Sequence, residues 1–153
     1  MKAVALIAIV CMLTPAALGE LKLKKCKSGA LPTKLVIEGC KNTPCTVVNG
    51  RNLRFQAEFI NPTPTRTLTA SVIPRVGWFN TVVKYKMPEE HRDGCKKLTN
   101  TQCPLGAQQL VMAAGEVPVS SPITGVKANI EFQLRSDTGI AVCFKIDAKV
   151  VKK

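Results

Sequence analysis

The chain is short of the residues that do chemistry. His91 is its only histidine, Trp78 its only tryptophan and Tyr85 its only tyrosine, and aromatic residues make up just 5% of 153 residues. His91 lies in the charged run Glu89-Glu90-His91-Arg92-Asp93. An imidazole needs a pocket and a nucleophile beside it before it can serve as acid or base, so a solvated loop histidine is expected here. Gly-x-Ser-x-Gly is missing, as are a phosphate-binding glycine loop and a carboxylate pair on an apolar strand face. The sequence therefore predicts no enzyme. Cys-x-x-Cys is also missing, which removes the usual zinc spacings, so neither a metal nor a cofactor is predicted. Asn61 is followed by Pro62, and the other asparagines lack a hydroxyl residue two positions on, so N-glycosylation is not expected. Long helical patterns, repeats and low-complexity tails are likewise missing, which argues against helical bundles and solenoids.

Acidic residues are scarce as well. Ten Asp and Glu face 22 Lys and Arg. Such an imbalance attracts anionic partners: membrane headgroups, bacterial surface polymers or nucleic acid. Nucleic acid is disfavoured, because no aromatic residues interleave with the lysines to form a stacking platform. The clusters Lys22-Leu23-Lys24-Lys25 and Lys96-Lys97 are short.

What is present begins with an address. Met1-Lys2 precedes an apolar run from Ala3 to Leu13, then Pro15-Ala16-Ala17-Leu18-Gly19. This reads as a signal peptide, residues 1–19, cleaved after Gly19. The run is too short for a comfortable membrane span. Cleavage takes Lys2 from the 22 basic residues, leaving 21 against 10 acids, a net charge of +11. Cys11 leaves too, so seven cysteines become six, an even number that implies a disulfide framework in a secreted chain. Residues 20–153 are expected to form one domain, a monomer, secreted or lysosomal.

The mature chain alternates with period two. The stretch from Val126 to Val151 reads as two strands around the turn Ser136-Asp137-Thr138-Gly139. Ile130, Phe132 and Leu134 share one face of the first strand. Val142, Phe144, Ile146, Ala148 and Val150 share one face of the second. Cys143 falls on the opposite face, where it can staple the hairpin to a segment outside that wall. Thr33–Glu38 is a further strand, and Cys40 and Cys45 flank a loop in which they can close on each other. Leu53, Phe55, Ala57 and Phe59 form the clearest amphipathic strand. Leu68–Val72 alternates too, followed by a loop or bulge from Pro74 to Asn80. Val83, Tyr85 and Met87 alternate with Lys84 and Lys86. Ala107–Ala114 fits a helix by propensity and a strand by the spacing of Leu110, Met112 and Ala114. Short strands at this spacing predict an all-β sandwich with inner faces about 10 Å apart. Slight splaying turns that interior into a slot.

The ordered set of features resembles the ML lipid-recognition family, and within it the Niemann–Pick type C2 sterol carriers and their arthropod relatives. The matching features are Gly39-Cys40, Pro44-Cys45, Pro88-Glu89, Asp93-Gly94-Cys95, Cys103-Pro104-Leu105, Val117-Pro118-Val119, the strand Glu131-Phe132-Gln133-Leu134, and Cys143. They span essentially the whole mature chain. The resemblance implies an immunoglobulin-like sandwich of two antiparallel sheets with a lipid between them, and the pairings Cys26–Cys143, Cys40–Cys45 and Cys95–Cys103. It also implies pocket roles for Tyr85, Val119, Phe132, Phe144, Ile37, Leu53 and Phe55. Phe59, Met87, Met112, Ile130 and Ile146, on the apolar faces of the same strands, complete the expected lipid-binding set. One position departs: Ser120-Ser121-Pro122 is shorter than the corresponding segment of the sterol carriers and lacks its tyrosine, which alters the pocket mouth.

The resulting expectation is a secreted, non-catalytic carrier of a sterol, a fatty acid or a related lipid or semiochemical. Innate-immune recognition of bacterial surface lipids or peptidoglycan is the alternative. A purely structural sandwich with a filled interior is the third reading.

Overall fold

The computed structural model describes residues 21–153. The predicted signal peptide, residues 1–19, and Cys11 lie outside the described residues.

Among the described residues nine strands form two sheets. In chain order they are β1 (Lys24–Lys25), β2 (Lys34–Ile37), β3 (Cys45–Val48), β4 (Asn52–Ile60), β5 (Leu68–Val76), β6 (Thr81–Val82), β7 (Leu110–Pro118), β8 (Lys127–Ser136) and β9 (Gly139–Val151). The larger sheet runs β1-β9-β8-β5-β6, with β3 also paired to β9; the smaller runs β2-β4-β7. All pairings are antiparallel except β3 with β9, which is parallel. A single-turn helix, α1 (Glu89–Arg92), and a 3-10 turn at Cys95–Lys97 lie between the sheets' contributions to the chain.

The predicted hairpin is the spine of the larger sheet. Phe132 faces Phe144, Ile130 faces Ile146 and Ala128 faces Ala148 across the β8–β9 ladder. Directly opposed residues of an antiparallel pair share a face, so these rungs build one apolar wall. β5 extends the wall, with Val72 opposite Phe132 and Pro74 opposite Ile130. The strand thus runs through Pro74, where a loop was expected. The Pro74 carbonyl accepts the Val83 N–H at 2.9 Å, on the β6 side. The N–H that proline lacks would point to that same side, the sheet edge, so no central ladder bond is lost. The loop itself is confined to Gly77–Asn80.

Val83–Met87 keeps its predicted alternation, with Val83, Tyr85 and Met87 turned inward and Lys84 and Lys86 exposed, yet it lies outside any named strand. Of Ala107–Ala114, Ala107 and Gln108 lie in a turn and Leu110–Ala114 begin β7, with the inward face opposite to the expected one. Val111 and Ala113 are buried, while Leu110 and Met112 are exposed.

On the outer face of the larger sheet, Glu131 is 7% exposed. Burial pushes its carboxyl up, but the Gln133 amide, donating at 2.6 Å, and the Lys145 and Arg75 charges at 3.6 and 3.5 Å outweigh this and hold it below the usual glutamate range. Beside it the Cys26–Cys143 disulfide ties the N-terminal segment to β9; Cys40–Cys45 and Cys95–Cys103 close local loops. All three are the pairings that the family resemblance implies.

Cys26–Cys143 closes a loop of sequence separation 117. Loop-closure entropy makes this the most stabilising of the three, contributing about 4–5 kcal/mol. The double substitution Cys26→Ser/Cys143→Ser should therefore lower the denaturant midpoint more than Cys40→Ser/Cys45→Ser, as followed by circular dichroism. Equal losses would contradict the loop-length account.

Candidate functional site: two cavities between the sheets

The space between the sheets follows from residue size. Facing layers about 10 Å apart need large side chains to fill the gap. The smaller sheet offers Ala57, Ala113 and Gly115 in one rung region, and the larger sheet offers Ala70, Ala128 and Ala148. Two cavities result. The outer, about 90 Å³, is lined by Leu53, Val72, Val76, Tyr85, Val119, Ile130, Ile146 and neighbouring aliphatic residues. The inner, about 100 Å³, is lined by Phe55, Phe59, Met87, Leu134, Phe144 and others. Phe132 and Val117 border both. Phe132 stacks on Phe144 with ring centroids 5.1 Å apart. Its ring therefore stands as the partition.

Neither cavity is filled by the side chains that line it. Both are well below the roughly 300–1,000 Å³ of ordinary ligand pockets, so a lipid is accommodated only as the Phe132 partition and the sheets give way.

Polar groups gather at the rim of the outer cavity. The Tyr85 hydroxyl donates to the Pro118 carbonyl at 2.7 Å. This bond clasps the segment after β6 to the end of β7 and so joins the two sheets at the mouth. Burial pushes the Tyr85 phenol up, which keeps it a neutral donor. Ser120 and Ser121 line the same rim. Asn49 holds Ser121 by two bonds, donating to its carbonyl at 3.1 Å and accepting its N–H at 3.0 Å. Ser120 and Ser121, where the sequence departs from the family pattern, are thus part of the mouth.

The loop Gly77–Asn80 follows Val76, a lining residue, and carries Trp78 and Phe79, 99% and 95% exposed. Val82 and Ile123, 51% and 43% exposed, lie beside the same mouth. Pairing of Val76 with Ala128, and of Ala128 with Ala148, places the start of β8 and the end of β9 at this end of the sandwich. Lys127, Lys149, Lys152 and Lys153 are exposed there, and Lys84 follows β6. Among the described residues none of these five lysines is ion-paired.

Ten of the twelve residues expected to contact lipid line one cavity or the other: Leu53, Tyr85, Val119, Ile130 and Ile146 the outer, Phe55, Phe59, Met87 and Phe144 the inner, Phe132 both. Two do not. Ile37 is buried against Leu21, Cys40, Cys45 and Val47, in plain core. Met112 is 39% exposed on the outer surface, because β7 turns Val111 and Ala113 inward against Phe59 and Ala57. Sequence reasoning missed Val76 and Val117. The alternation of β5 reaches Val76 only if it is followed through Pro74. His91 is also corrected: it is half-buried on α1, lines the inner cavity, and has a buried Nδ1 without a hydrogen-bond partner.

Comparison with known proteins agrees with this architecture. NPC intracellular cholesterol transporter 2 of Danio rerio is 26% identical over 127 residues, which cover 80% of this chain and 81% of that protein. The crystal structure of a Niemann-Pick type C2 protein from Japanese carpenter ant superposes with a TM-score of 0.64 at 15% identity, covering 81% of this chain and 96% of that one, and shares its fold. The family model described as ML domain matches residues 20–150, nearly all of the chain with both sheets and both cavities, and the chain belongs to the ML domain family.

Proposed function

We propose that this chain is a secreted, non-catalytic carrier of a hydrophobic small molecule, a sterol, a fatty acid or a related lipid, held between its two sheets. The observation that carries this reading is the pair of adjoining, apolar-walled cavities that share Phe132 and Val117 as walls. Covering a few hundred Å² of ligand at about 25 cal/mol per Å² yields several kcal/mol before the costs of association. It also removes voids that the empty protein bears. The Danio rerio relative is named as a cholesterol transporter, which supports a lipid ligand without fixing its identity.

The mouth suggests where a ligand would be exchanged. Trp78 and Phe79 are exposed at the same end of the sandwich as five lysines that lack an ion pair among the described residues, an arrangement suited to an anionic lipid surface, with the aromatic rings at headgroup depth. The same surface favours bacterial surface lipid as a second reading, since anionic glycolipids offer comparable charge.

Two outcomes are expected. Tyr85→Ala removes the Pro118 clasp and should weaken uptake of a fluorescent fatty-acid or sterol probe at least as clearly as it lowers the denaturant midpoint. A large stability loss with unchanged affinity would place Tyr85 in plain core. Trp78, the sole tryptophan, reports on the mouth directly. Its emission should shift to the blue with vesicles of phosphatidylcholine and phosphatidylserine at low salt, and less at high salt. An unchanged spectrum would remove the membrane-facing role of this loop.

A further inference from the structure

One margin of the larger sheet carries a run of lysines that the cavities do not use. Lys22, Lys24, Lys25 and Lys27 fall within six residues, and all four are exposed. Their backbone is held in place. Lys24 and Lys25 pair with Lys145 and Phe144 of β9, and the Cys26–Cys143 disulfide ties the next residue to the same strand. Leu21 is buried and Leu23 packs against the core, so the alternation of an extended chain turns Lys22 and Lys24 outward. The segment therefore fixes its charges along the edge of β9.

The strand register then sets like charges together. Lys24 stands directly opposite Lys145 in the β1–β9 ladder, and Lys127 directly opposite Lys149 in the β8–β9 ladder. Like charges directly opposed in an antiparallel pair are destabilising. Carboxylates offset the first pair: Asp147 accepts from Lys24 at 2.6 Å, and Glu131 lies 3.6 Å from Lys145. The second pair has no carboxylate of its own, since Asp147 is taken by Lys24 and by the Asn129 amide, which donates at 2.9 Å. Among the described residues Lys127 and Lys149 have no ion pair, and neither have Lys22, Lys25 and Lys27. The strip follows β9 from Cys143 to Lys149, about 20 Å at the rise of a strand.

We propose that this margin binds a linear sulfated polysaccharide, laid along β9 between Lys27 and Lys149. A row of sulfates supplies the negative charge that the opposed lysines lack, and each ammonium can donate to it by a charge-assisted hydrogen bond. The cations form a line along a strand, which suits a thread-like polymer better than a plane of headgroups. None of the exposed large apolar residues belongs to β1, β8 or β9. The strip thus offers nothing to enter a bilayer and no aromatic ring to stack on a base, which leaves a partner recognised by charge alone. The proposal is independent of what the cavities hold, and shares only Lys127 and Lys149 with the lysines near the mouth.

The test titrates the folded protein onto immobilised heparin at physiological salt. Two triple variants remove the same charge from exposed positions: Lys22→Gln/Lys25→Gln/Lys27→Gln on the margin, and Lys84→Gln/Lys152→Gln/Lys153→Gln away from it. The wild-type protein should bind, with an affinity that falls steeply as salt is raised. The margin variant should lose about tenfold in affinity, the size of three exposed ion pairs. The other variant should lose about twofold or less, because its charges act only through a screened field. Lys22→Arg/Lys25→Arg/Lys27→Arg should bind as the wild type does. Equal losses in the two glutamine variants would reduce the effect to net charge and overturn the proposal, as would a wild-type protein that heparin does not retain. Phosphatidylserine vesicles and single-stranded DNA serve as competing partners. A margin variant that loses as much affinity for either of them as for heparin overturns the assignment to a sulfated polysaccharide.

Discussion

The gap between the sheets is the constraint on which everything else depends. Two β-layers cannot approach closer than their inward side chains allow, and about 10 Å must be filled by something. At Ala57, Ala113, Gly115, Ala128 and Ala148 the chain supplies little. Close packing is the rule in protein interiors, so the two cavities are a standing cost. The walls around them carry it: the long β8–β9 hairpin, the Phe132–Phe144 stack, and the disulfide that holds β9 to the N-terminal segment.

The sheets are held together around the space more than through it. Tyr85 clasps the mouth through the Pro118 carbonyl. The Glu89–Lys97 segment closes one side, seated by Gly94 on the larger sheet and by Lys97 across Gly115. Asn49 anchors the mouth segment at Ser121. Closure by a few polar ties at the perimeter lets the interior stay apolar and adjustable, and a ligand that parts the Phe132 ring from its neighbours need not break a sheet ladder.

Much of this was legible in the sequence, for physical reasons. The β8–β9 hairpin and β4 alternate cleanly, so their inward faces could be assigned. The disulfide pairing came from the family resemblance, because six cysteines alone leave their connectivity open. The failures have causes too. Leu110-Val111-Met112-Ala113-Ala114 is apolar at every position, so period two has no phase there. Large side chains suggested Leu110 and Met112 as the inner face, but the β4–β7 register puts Val111 and Ala113 on the same face as Phe59 and Ala57, and that face turns inward. Pro74 looked like a stop because its edge-facing side could not be seen in the sequence. His91, in a run of charges, gave no sign that the one-turn helix would fold its ring under the segment and against a cavity.

The central claim is that the space between the sheets is occupied in the working protein. The most direct measurement is mass spectrometry of the folded protein purified from its own secretion, followed by organic extraction. The account predicts about one equivalent of an apolar small molecule per chain, released on extraction and taken up again on incubation with the same compound. Folded protein that carries no such molecule and takes none up, with both cavities remaining empty, would contradict it.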